Sequence, residues 1–552
     1  MLTLVSNQMS LMGPNFSGEA IDAIGADGII DWPTVLTKCA LMLACYAASA
    51  ALSYGLTLLM IHISRGVVYR LRKQAFDRLM RLPVAFYDEH PSGDIISRIS
   101  YDTDTINASL SSDLVQIFAS VITIVVSLYK MITIQAQLVL VFLFTVPLSV
   151  LITRVITKKT HALFRLRSRK LGELNGFVEE MVSGQKTLKA YNQEENTLDE
   201  LDDINGQAVE AYYQSEYQTA MMGPSVNFIH NLSMTLVSVF GTMLHMAGKM
   251  SVGDIGAFVL YSRKFSGPIR EIADIFNELQ SAVAAAERVF RIIDEPLEPA
   301  DAPDAQLLEN VQGRVELERV SFGYEPGRII LKDFSLEAKP GQLIAIVGPT
   351  GAGKTTLINL LMRFYDVQAG AIRVDGKDNL SLTRSSLRLA WSMVLQDTWL
   401  FYGTIYDNIA YGRPDATREE VIAAAKAAHI HNFIMRLPQG YDTVLTDDAA
   451  NISKGQKQLL TIARAMLMDT PMLILDEATS NVDTRTEMVV QQAMRELMAG
   501  KTCFVVAHRL STVRSADNIL VVRDGNVVES GTHEHLMAQK GFYWELYRAQ
   551  FA

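Results

Sequence analysis

Long apolar runs are concentrated in the first half of the chain and predict helices that cross a membrane. Five of these runs are each long enough to span about 30 Å of hydrocarbon as a helix. They cover residues 34–63, 114–134, 136–156, 224–247 and 252–275. The first twelve residues are also apolar, but this run is short and Gly13-Pro14 interrupts it. We therefore expect a bundle of the six-helix type whose first helix is truncated; the alternative for the opening run is a short interfacial helix.

The second half of the chain has the pattern of an α/β domain. Residues 295–313 combine prolines with acidic residues and predict a linker. After it, Val315–Phe322 alternates between apolar and polar positions as a half-buried strand does, and Gln342–Val347 is an apolar strand. The expected division is a transmembrane domain at 1–294, the linker, and an α/β domain at 314–552.

Composition and charge narrow the range of partners. The chain has 552 residues, of which 49% are hydrophobic and 20% charged, and a formal net charge of −10. An acidic protein lacks the basic face that general nucleic-acid binding requires, so we expect the lipid bilayer and small molecules as partners, and no nucleic acid. Three cysteines, Cys39, Cys45 and Cys503, cannot build a disulfide framework and are predicted to be core residues.

The distribution of basic residues predicts the orientation in the membrane. Residues 15–37 contain four acidic residues and no lysine or arginine, whereas 64–106 and 154–190 are rich in both basic types. By the positive-inside rule, the two basic segments lie in the cytoplasm. Both are long and helical in pattern, so we expect the membrane helices to continue beyond the bilayer, where a cytoplasmic domain can use them as levers.

Some polar residues fall inside the predicted spans. Arg263 and Lys264 lie near the middle of the last span, where a charge usually faces a water-filled cavity. The alternative is snorkelling, or pairing with a carboxylate such as Glu271. A second group, in the span at 224–247, is expected to form hydrogen bonds between helices. It consists of Asn227, His230 and Asn231.

A phosphate-binding loop follows the apolar strand that ends at Val347. Its glycines let backbone amides close around phosphate oxygens, Lys354 can reach the terminal phosphates, and the Thr355 hydroxyl can ligate Mg²⁺. An apolar helix comes next, which completes the strand–loop–helix context that the motif requires. The predicted nucleotide contacts are Gly348, Pro349, Thr350, Gly351, Ala352, Gly353, Lys354, Thr355 and Thr356.

Two further strands end in residues suited to phosphate chemistry. The apolar run Met472–Leu475 is followed by Asp476, which can hold the metal shell, and by Glu477, which is placed to polarise an attacking water. A later apolar strand ends in His508, a position suited to sensing a γ-phosphate. Glu477, His508 and Lys354 form the predicted catalytic set.

With these motifs in this order and spacing, the whole chain resembles an ATP-binding cassette (ABC) exporter half-transporter of the six-helix type. The resemblance implies that the α/β domain is a nucleotide-binding domain that hydrolyses ATP with Mg²⁺ as cofactor. It also implies that Tyr324 stacks on adenine and that Gln396 ligates Mg²⁺ together with Thr355 and Asp476.

The resemblance extends to elements that act between domains. Ser453, Lys454, Gly455 and Gln456 match the signature motif, which in this family contacts ATP bound to the opposing domain. Asp483 matches the D-loop. In the membrane half, Pro91–Arg98 resembles the first coupling helix and Gln193–Ile204 the second.

Three departures from the family pattern imply an asymmetric dimer. The signature motif has Lys454 where the family has a glycine, the segment 446–449 before it is acidic, and the D-loop has Asn481-Val482. The residues that act on the chain's own ATP are intact. This combination resembles the catalytically complete subunit of bacterial heterodimeric multidrug-type exporters. We therefore expect a heterodimer with a second half-transporter; the alternative is a homodimer in which Lys454 points to solvent.

The expected function is ATP-driven export of a small hydrophobic or amphiphilic substrate by alternating access. The protein is expected to be a multi-pass protein of a bacterial plasma membrane, with the nucleotide-binding domain in the cytoplasm. As candidate substrate-cavity residues, Arg263 and Lys264 favour an anionic or amphiphilic substrate. The alternatives are a homodimeric lipid or peptide exporter and an ATP-gated channel on the same scaffold.

Overall fold

The chain separates into two compact units. The computed structural model describes residues 1–24, 30–396, 398–445, 451–477, 484–507 and 510–551. Unit 1 comprises Met1–Met80 and Ser92–Glu295, and unit 2 comprises Arg81–Pro91 and Pro296–Ala552. A short segment of the N-terminal half therefore belongs to the C-terminal unit, which the sequence pattern does not indicate.

The N-terminal half of the chain is built from helices. The α-helices are α1 (Leu2–Asp22), α2 (Trp32–Leu79), α3 (Val84–Glu89), α4 (Ser92–Ser97), α5 (Thr103–Ala108), α6 (Leu114–Ser183), α7 (Gln185–Tyr191), α8 (Glu194–Ala220), α9 (Met222–Met246) and α10 (Val252–Asp294). Two π-helical turns, Arg98–Asp102 and Ser109–Asp113, join α4, α5 and α6. Helix α3 lies in unit 2, and the other helices form unit 1.

The predicted membrane spans fall within helices of unit 1. By length and composition, α2 and the continuous stretch Ser92–Ser183 are apolar enough to cross a bilayer, and these are the 2 such stretches within the described ranges. Helices α9 and α10, which contain the other two predicted spans, are not among these stretches. Gln135, with φ −158° and ψ 101°, breaks α6 between the two predicted spans. With its 48 residues, α2 is about 72 Å long, well beyond the hydrocarbon thickness of roughly 30 Å.

Helix α1 continues through Pro14, so the predicted interruption at Gly13-Pro14 is wrong. Proline removes one backbone hydrogen bond, but packing against neighbouring helices can compensate for that cost. Here the packing is close. A Cβ atom on Gly13 would overlap the ring of Tyr46, and one on Gly18 would overlap the carbonyl oxygen of Gly253. These contacts with α2 and α10 keep α1 helical.

Unit 2 contains three β-sheets. Its strands are β1 (Val315–Phe322), β2 (Leu331–Ala338), β3 (Leu343–Val347), β4 (Ala369–Val374), β5 (Lys377–Asp378), β6 (Trp391–Val394), β7 (Gly403–Thr404), β8 (Val444–Leu445), β9 (Met472–Glu477), β10 (Thr502–Ala507), β11 (Asn518–Arg523) and β12 (Asn526–Gly531). The strand orders are β2-β1-β4-β5, β12-β11-β3-β10-β9-β6 and β7-β8. The α/β character predicted for this half is confirmed.

Helices separate most of these strands. They are α11 (Lys354–Leu361), α12 (Arg384–Leu389), α13 (Ile405–Ala410), α14 (Arg418–Ala427), α15 (His431–Ile434), α16 (Lys454–Met468), α17 (Thr484–Met498), α18 (Leu510–Arg514), α19 (His533–Gln539) and α20 (Phe542–Phe551). Short 3₁₀ turns occupy Asn379–Ser381 and Gly440–Asp442.

The six-stranded sheet is parallel except at its β12 edge. Val505 of β10 lies opposite Ala345 of β3 on one side and Leu475 of β9 on the other. Strands β6 and β11 extend the parallel pairing outward, and β12 pairs antiparallel with β11. Because parallel strands end at a common edge, the segments that follow β3, β9 and β10 start side by side.

Each face of this sheet is buried in its own apolar cluster. Successive side chains of a strand point to opposite faces. Ile344, Ile346, Phe504 and Val506 accordingly belong to one cluster, and Ala345, Val347, Cys503 and Val505 belong to the other. The sheet is therefore the central layer of unit 2.

The three cysteines differ in burial. Cys503 is buried, as predicted, and burial raises the pKa of its thiol to about 12. Cys39 is exposed and Cys45 is partly buried, so the prediction of a core position is wrong for Cys39. Cys39 lies on α2, an apolar helix whose outer surface unit 1 does not cover.

We expect Phe504→Ala to destabilise unit 2. The Phe504 side chain is fully buried beside Trp391, with ring centroids 5.7 Å apart. Truncating a buried phenylalanine leaves a cavity and should lower the free energy of unfolding by about 3–5 kcal/mol. Thermal unfolding of the full chain in detergent, followed by tryptophan fluorescence, measures the change. The control is Val528→Ala, at a side chain that is 45% exposed; equal effects of both changes would contradict the expectation.

Candidate functional site

The loop between β3 and α11 has the backbone of a phosphate cradle. Gly351 and Gly353 have φ angles of +81° and +103°, a region that favours glycine. A Cβ atom on Gly348 would overlap the carbonyl oxygen of Val522. The loop leads directly into the N-terminus of α11, where free backbone amides favour an anion. The predicted strand–loop–helix context is present.

Lys354, the first residue of α11, folds back over this loop. Its Nζ donates hydrogen bonds to the carbonyl oxygens of Gly348 at 2.8 Å and Pro349 at 2.9 Å. Burial lowers the pKa of Lys354, while the negative charge of Asp476 acts in the opposite direction. A half-buried ammonium group held by neutral carbonyls gains from an incoming anion, because an anion offsets its desolvation. The arrangement can bind a phosphate group.

The acidic residues lie at the same edge of the parallel sheet. Asp476 and Glu477 close β9, opposite Val506 and Ala507 of β10, and β10 is the neighbour of β3. Of Glu477 only this strand position is described; its side chain is not. His508 and the D-loop residue Asp483 lie outside the described residues.

The donors near the loop suit a magnesium ion that arrives with phosphates. Among the described residues there is no group of three or more His, Cys, Asp or Glu side chains that could hold a metal. Magnesium usually keeps water and phosphate ligands and needs only one or two carboxylates from the protein. Thr355 and Gln396 are both exposed. Together with Asp476 they remain the predicted oxygen donors, a chemistry that suits a magnesium ion held mainly by phosphates and water.

Tyr324 presents an exposed aromatic ring near the phosphate loop. The ring is 42% exposed and packs edge-on against Tyr365, with centroids 4.9 Å apart. Asn359 of α11 donates a hydrogen bond from Nδ2 to the Tyr324 hydroxyl at 3.0 Å. Asn359 and Tyr365 therefore fix the ring, and the sequence analysis missed both. Both roles depend on tertiary contact, so no local sequence pattern marks them.

The segment matching the signature motif caps helix α16. Ser453 and Gln456 form a capping box: the Gln456 amide donates to the Ser453 hydroxyl at 3.3 Å and the Ser453 amide to Oε1 of Gln456 at 2.8 Å. Gly455 is buried and Lys454 is exposed. Lys454 is the first residue of α16 and its side chain is exposed. A positive charge at the N-terminus of a helix is unfavourable, because it opposes the helix dipole.

The segment Arg81–Pro91 is bonded within unit 2. The Tyr365 hydroxyl donates a hydrogen bond to the Asp88 carboxylate at 2.6 Å, and this contact raises the pKa of Tyr365 beyond the effect of burial alone. The predicted first coupling helix, Pro91–Arg98, begins where this segment ends. The role of Pro91–Arg98 as a coupling helix stays a prediction.

Unit 1 contains a large cavity between α6, α9 and α10. Its volume is about 1380 Å³. The apolar part of the lining includes Val146, Val150, Leu151, Val226 and Ile229, and the basic part consists of Arg154, Lys158, His161, Arg165, His230 and Arg263. The sequence analysis missed four of these basic residues as a group, although they recur on one face of α6, at positions 154, 158, 161 and 165.

The structure separates the two charged residues predicted to face a cavity. Arg263 lines the cavity. Lys264 is not among the lining residues; its Nζ donates to the Ser10 carbonyl at 3.1 Å and hydroxyl at 2.8 Å, so the prediction of a cavity role is corrected for this residue. Glu271 accepts a hydrogen bond from Gln116 of α6 at 2.9 Å.

The polar group on α9 divides in a similar way. Asn227 and His230 line the cavity, and Asn231 is not among the lining residues. The hydrogen bond between helices in this region is made by Ser233, whose hydroxyl lies 3.2 Å from that of Thr145 on α6. The cavity therefore receives two side chains that the sequence analysis assigned to helix packing.

Two family models match the chain. Residues 1–269 match the ABC transporter transmembrane region, and residues 331–480 match the ABC transporter model that describes the nucleotide-binding domain. The two matches follow each other in the order of unit 1 and unit 2.

Similar proteins and structures come from bacteria. The chain is 44% identical over 520 residues to a fatty acid ABC transporter ATP-binding/permease protein of Mycobacterium bovis, covering 94% of this chain and 82% of the relative. It is 38% identical over 488 residues to a putative multidrug export ATP-binding/permease protein of Staphylococcus aureus, covering 88% and 84%. The solved structure of a bacterial Atm1-family ABC exporter with ATP bound matches with a TM-score of 0.77 and 32% identity, covering 100% and 97%.

We expect Lys354→Met to weaken nucleotide binding strongly. The substitution removes the ammonium group that the loop holds over its own carbonyls and should cost about 10- to 100-fold in affinity, as for other hydrogen bonds to charged groups. Equilibrium titration of the full chain in detergent with a fluorescent nucleoside triphosphate measures the loss. Lys339→Met, at an exposed lysine of unit 2, is the matched control. Unchanged affinity in Lys354→Met would remove this residue from the site.

Proposed function

The chain belongs to the ABC exporters, membrane proteins that couple ATP hydrolysis to transport, and we propose that it is one half-transporter for a small hydrophobic or amphiphilic molecule. The observation that carries the proposal is the phosphate loop with Lys354, set at the sheet edge beside Asp476, on the same chain as membrane-length helices. We assign 1–294 to the transmembrane domain, 295–313 to the linker and 314–552 to the nucleotide-binding domain.

The nucleotide is held by residues from three parts of unit 2. The loop amides from Gly348 to Gly353 and the Nζ of Lys354 bind the phosphate oxygens, and the exposed ring of Tyr324 stacks on the adenine. Thr355, Gln396 and Asp476 would hold Mg²⁺, which when bound neutralises charge on the phosphates.

Hydrolysis needs a water molecule positioned in line with the terminal phosphate. We assign this role to Glu477, which follows the metal-binding carboxylate at the end of β9 and can accept a proton from the water. His508, directly after β10, stabilises the developing negative charge on the γ-phosphate together with Lys354. The end of β9 at Glu477 and the end of β10 at Ala507 lie side by side in the sheet.

The site requires a second half-transporter. A signature serine from an opposing domain completes each nucleotide site, and Ser453, Lys454, Gly455 and Gln456 serve the opposing site in turn. The exposed Lys454 supports a heterodimer, because a heterodimer carries this lysine at one of the two sites, whereas a homodimer carries it at both. Asp483 belongs to the same interface.

The substrate is taken up from the cytoplasmic side and released across the bilayer. ATP binding brings the two nucleotide-binding domains together, and the coupling helices transmit the closure to the membrane helices; hydrolysis resets them. The location is a bacterial plasma membrane, with unit 2 in the cytoplasm. The relatives' names indicate different cargo, fatty acids in one case and drugs in another, and both classes are small and hydrophobic or amphiphilic.

We expect Glu477→Gln to abolish ATP turnover while ATP still binds. The amide cannot accept a proton from the attacking water, so turnover should fall by about 100-fold or more. Release of inorganic phosphate by the assembly in lipid, with nucleotide binding measured in parallel, gives both values. Glu534→Gln, at an exposed glutamate of α19, is the control. Turnover that survives Glu477→Gln would exclude this residue as the base.

The subunit composition can be measured on the protein from its own membrane. The affinity-tagged chain should bring down a second, different half-transporter in equal amount, and the mixed assembly should hydrolyse ATP severalfold faster than the chain purified alone. Mass spectrometry of the intact assembly identifies its subunits. An assembly of two identical chains with full turnover would contradict the heterodimer and make Lys454 a neutral variation.

A further inference from the structure

We propose that the cavity of unit 1 selects amphiphiles with a compact anionic head group, which basic residues of α6 bind while an apolar tail occupies the rest of the cavity. This inference rests on the proposed export function and specifies its substrate class. The head group is a carboxylate or a phosphate ester, both of which are compact anions.

The basic residues form a stripe along one helix face. Arg154, Lys158, His161 and Arg165 are spaced by four, three and four residues on α6, and all four line the cavity. Residues at these spacings lie above one another on the same face of a helix. The stripe extends for about 16 Å along the helix axis, and we call it the basic stripe.

The residues that α6 contributes to the cavity lining change from apolar to basic along the helix. Towards the N-terminal side of the basic stripe, the lining residues of this helix include Val146, Val150 and Leu151. Phe142, one helical turn further, packs into a buried apolar cluster and contacts the ring of Phe265, with centroids 5.7 Å apart. The cavity thus has an apolar region beside the buried cluster that contains Phe142 and a basic region nearer the C-terminal end of α6. This arrangement fits a molecule whose charged group is at one end.

The basic stripe differs from two neighbouring cations of α6 in its ion pairing. Arg167 forms an ion pair with Glu216 of α8 at 2.8 Å, and Lys170 forms one with Glu173 at 2.7 Å. Within the side chains that the structure describes, no ion pair is found for Arg154, Lys158 or Arg165, and no aspartate or glutamate is among the described lining residues. Arg167 and Lys170, outside the cavity, are therefore paired within the chain, whereas the described arginines and lysine of the basic stripe are not.

Unpaired cations that line one face of a cavity favour an anion. Their mutual repulsion is relieved by one negative charge, and each charge-assisted hydrogen bond to a carboxylate or phosphate is stronger than a neutral one. Arg263 on α10 adds to the same potential from a facing helix. A lipophilic cation would be repelled by these charges. The cavity therefore discriminates against cationic amphiphiles.

Competition binding tests the charge preference. The complete assembly is placed in nanodiscs of uncharged phosphatidylcholine, and radiolabelled palmitate is the probe. Hexadecyl phosphate should compete like palmitate, hexadecanol should compete at least about tenfold more weakly because it lacks the charge, and hexadecyltrimethylammonium should compete least. If only palmitate or only hexadecyl phosphate competes, the head group is assigned to that one chemistry.

A triple substitution locates the effect. Arg154→Gln with Lys158→Gln and Arg165→Gln should remove the advantage of palmitate over hexadecanol, while hexadecanol still binds and so reports a folded cavity. The matched control is Lys159→Gln, an exposed neighbour on α6 that is not among the lining residues. If the triple variant does not fold, the single variant Arg154→Gln replaces it, and we expect it to lose part of the advantage of palmitate over hexadecanol. Raising the salt concentration should weaken palmitate binding but not hexadecanol binding.

Some results would overturn the inference. These are equal competition by palmitate and hexadecanol, preference for the cation, or a loss in Lys159→Gln as large as in the triple variant. In the last case the charge effect acts from outside the cavity. ATP turnover by the same assembly separates the two proposals: turnover without charge preference refutes the substrate class alone, and absence of turnover refutes the export function.

Discussion

The parallel pairing of β3, β10 and β9 is the constraint on which the nucleotide site depends. Each strand ends in a different chemical group, and a shift of register by one residue would also exchange the two buried faces of the sheet. The two apolar clusters that hold Ile344 and Phe504 on one face and Ala345 and Val505 on the other prevent such a shift. The energy that fixes the site therefore comes from hydrophobic burial several residues away from it.

Much of this site could be predicted because it is local in sequence. The loop from Gly348 to Thr356 and the two acids that end β9 are contiguous motifs, and their strands have the continuous apolar pattern of a buried sheet. Asn359, Tyr365 and the α3 carboxylate that Tyr365 contacts could not be found in this way. Their role depends on tertiary contact, which no local pattern reports.

The membrane half was predicted at the level of helices and less well at the level of side chains. Hydropathy located the helices, but the predicted break at Pro14 does not occur, because close packing against Tyr46 keeps the helix intact. Adjacent charges at Arg263 and Lys264 looked equivalent along the sequence, yet a helix turns each residue by about 100°. One side chain therefore enters the cavity and the other contacts α1. The basic residues of α6 were explained by the positive-inside rule. Their position on one shared helix face was therefore not considered.

The membership of Arg81–Pro91 in unit 2 affects how the protein can be divided. The backbone passes between the two units three times, at Met80–Arg81, Pro91–Ser92 and Glu295–Pro296. A gene fragment that starts at Pro296 would encode unit 2 without α3 and without the carboxylate that accepts the Tyr365 hydroxyl. Excised in this way, the nucleotide-binding part lacks one of the two chain segments that make up unit 2.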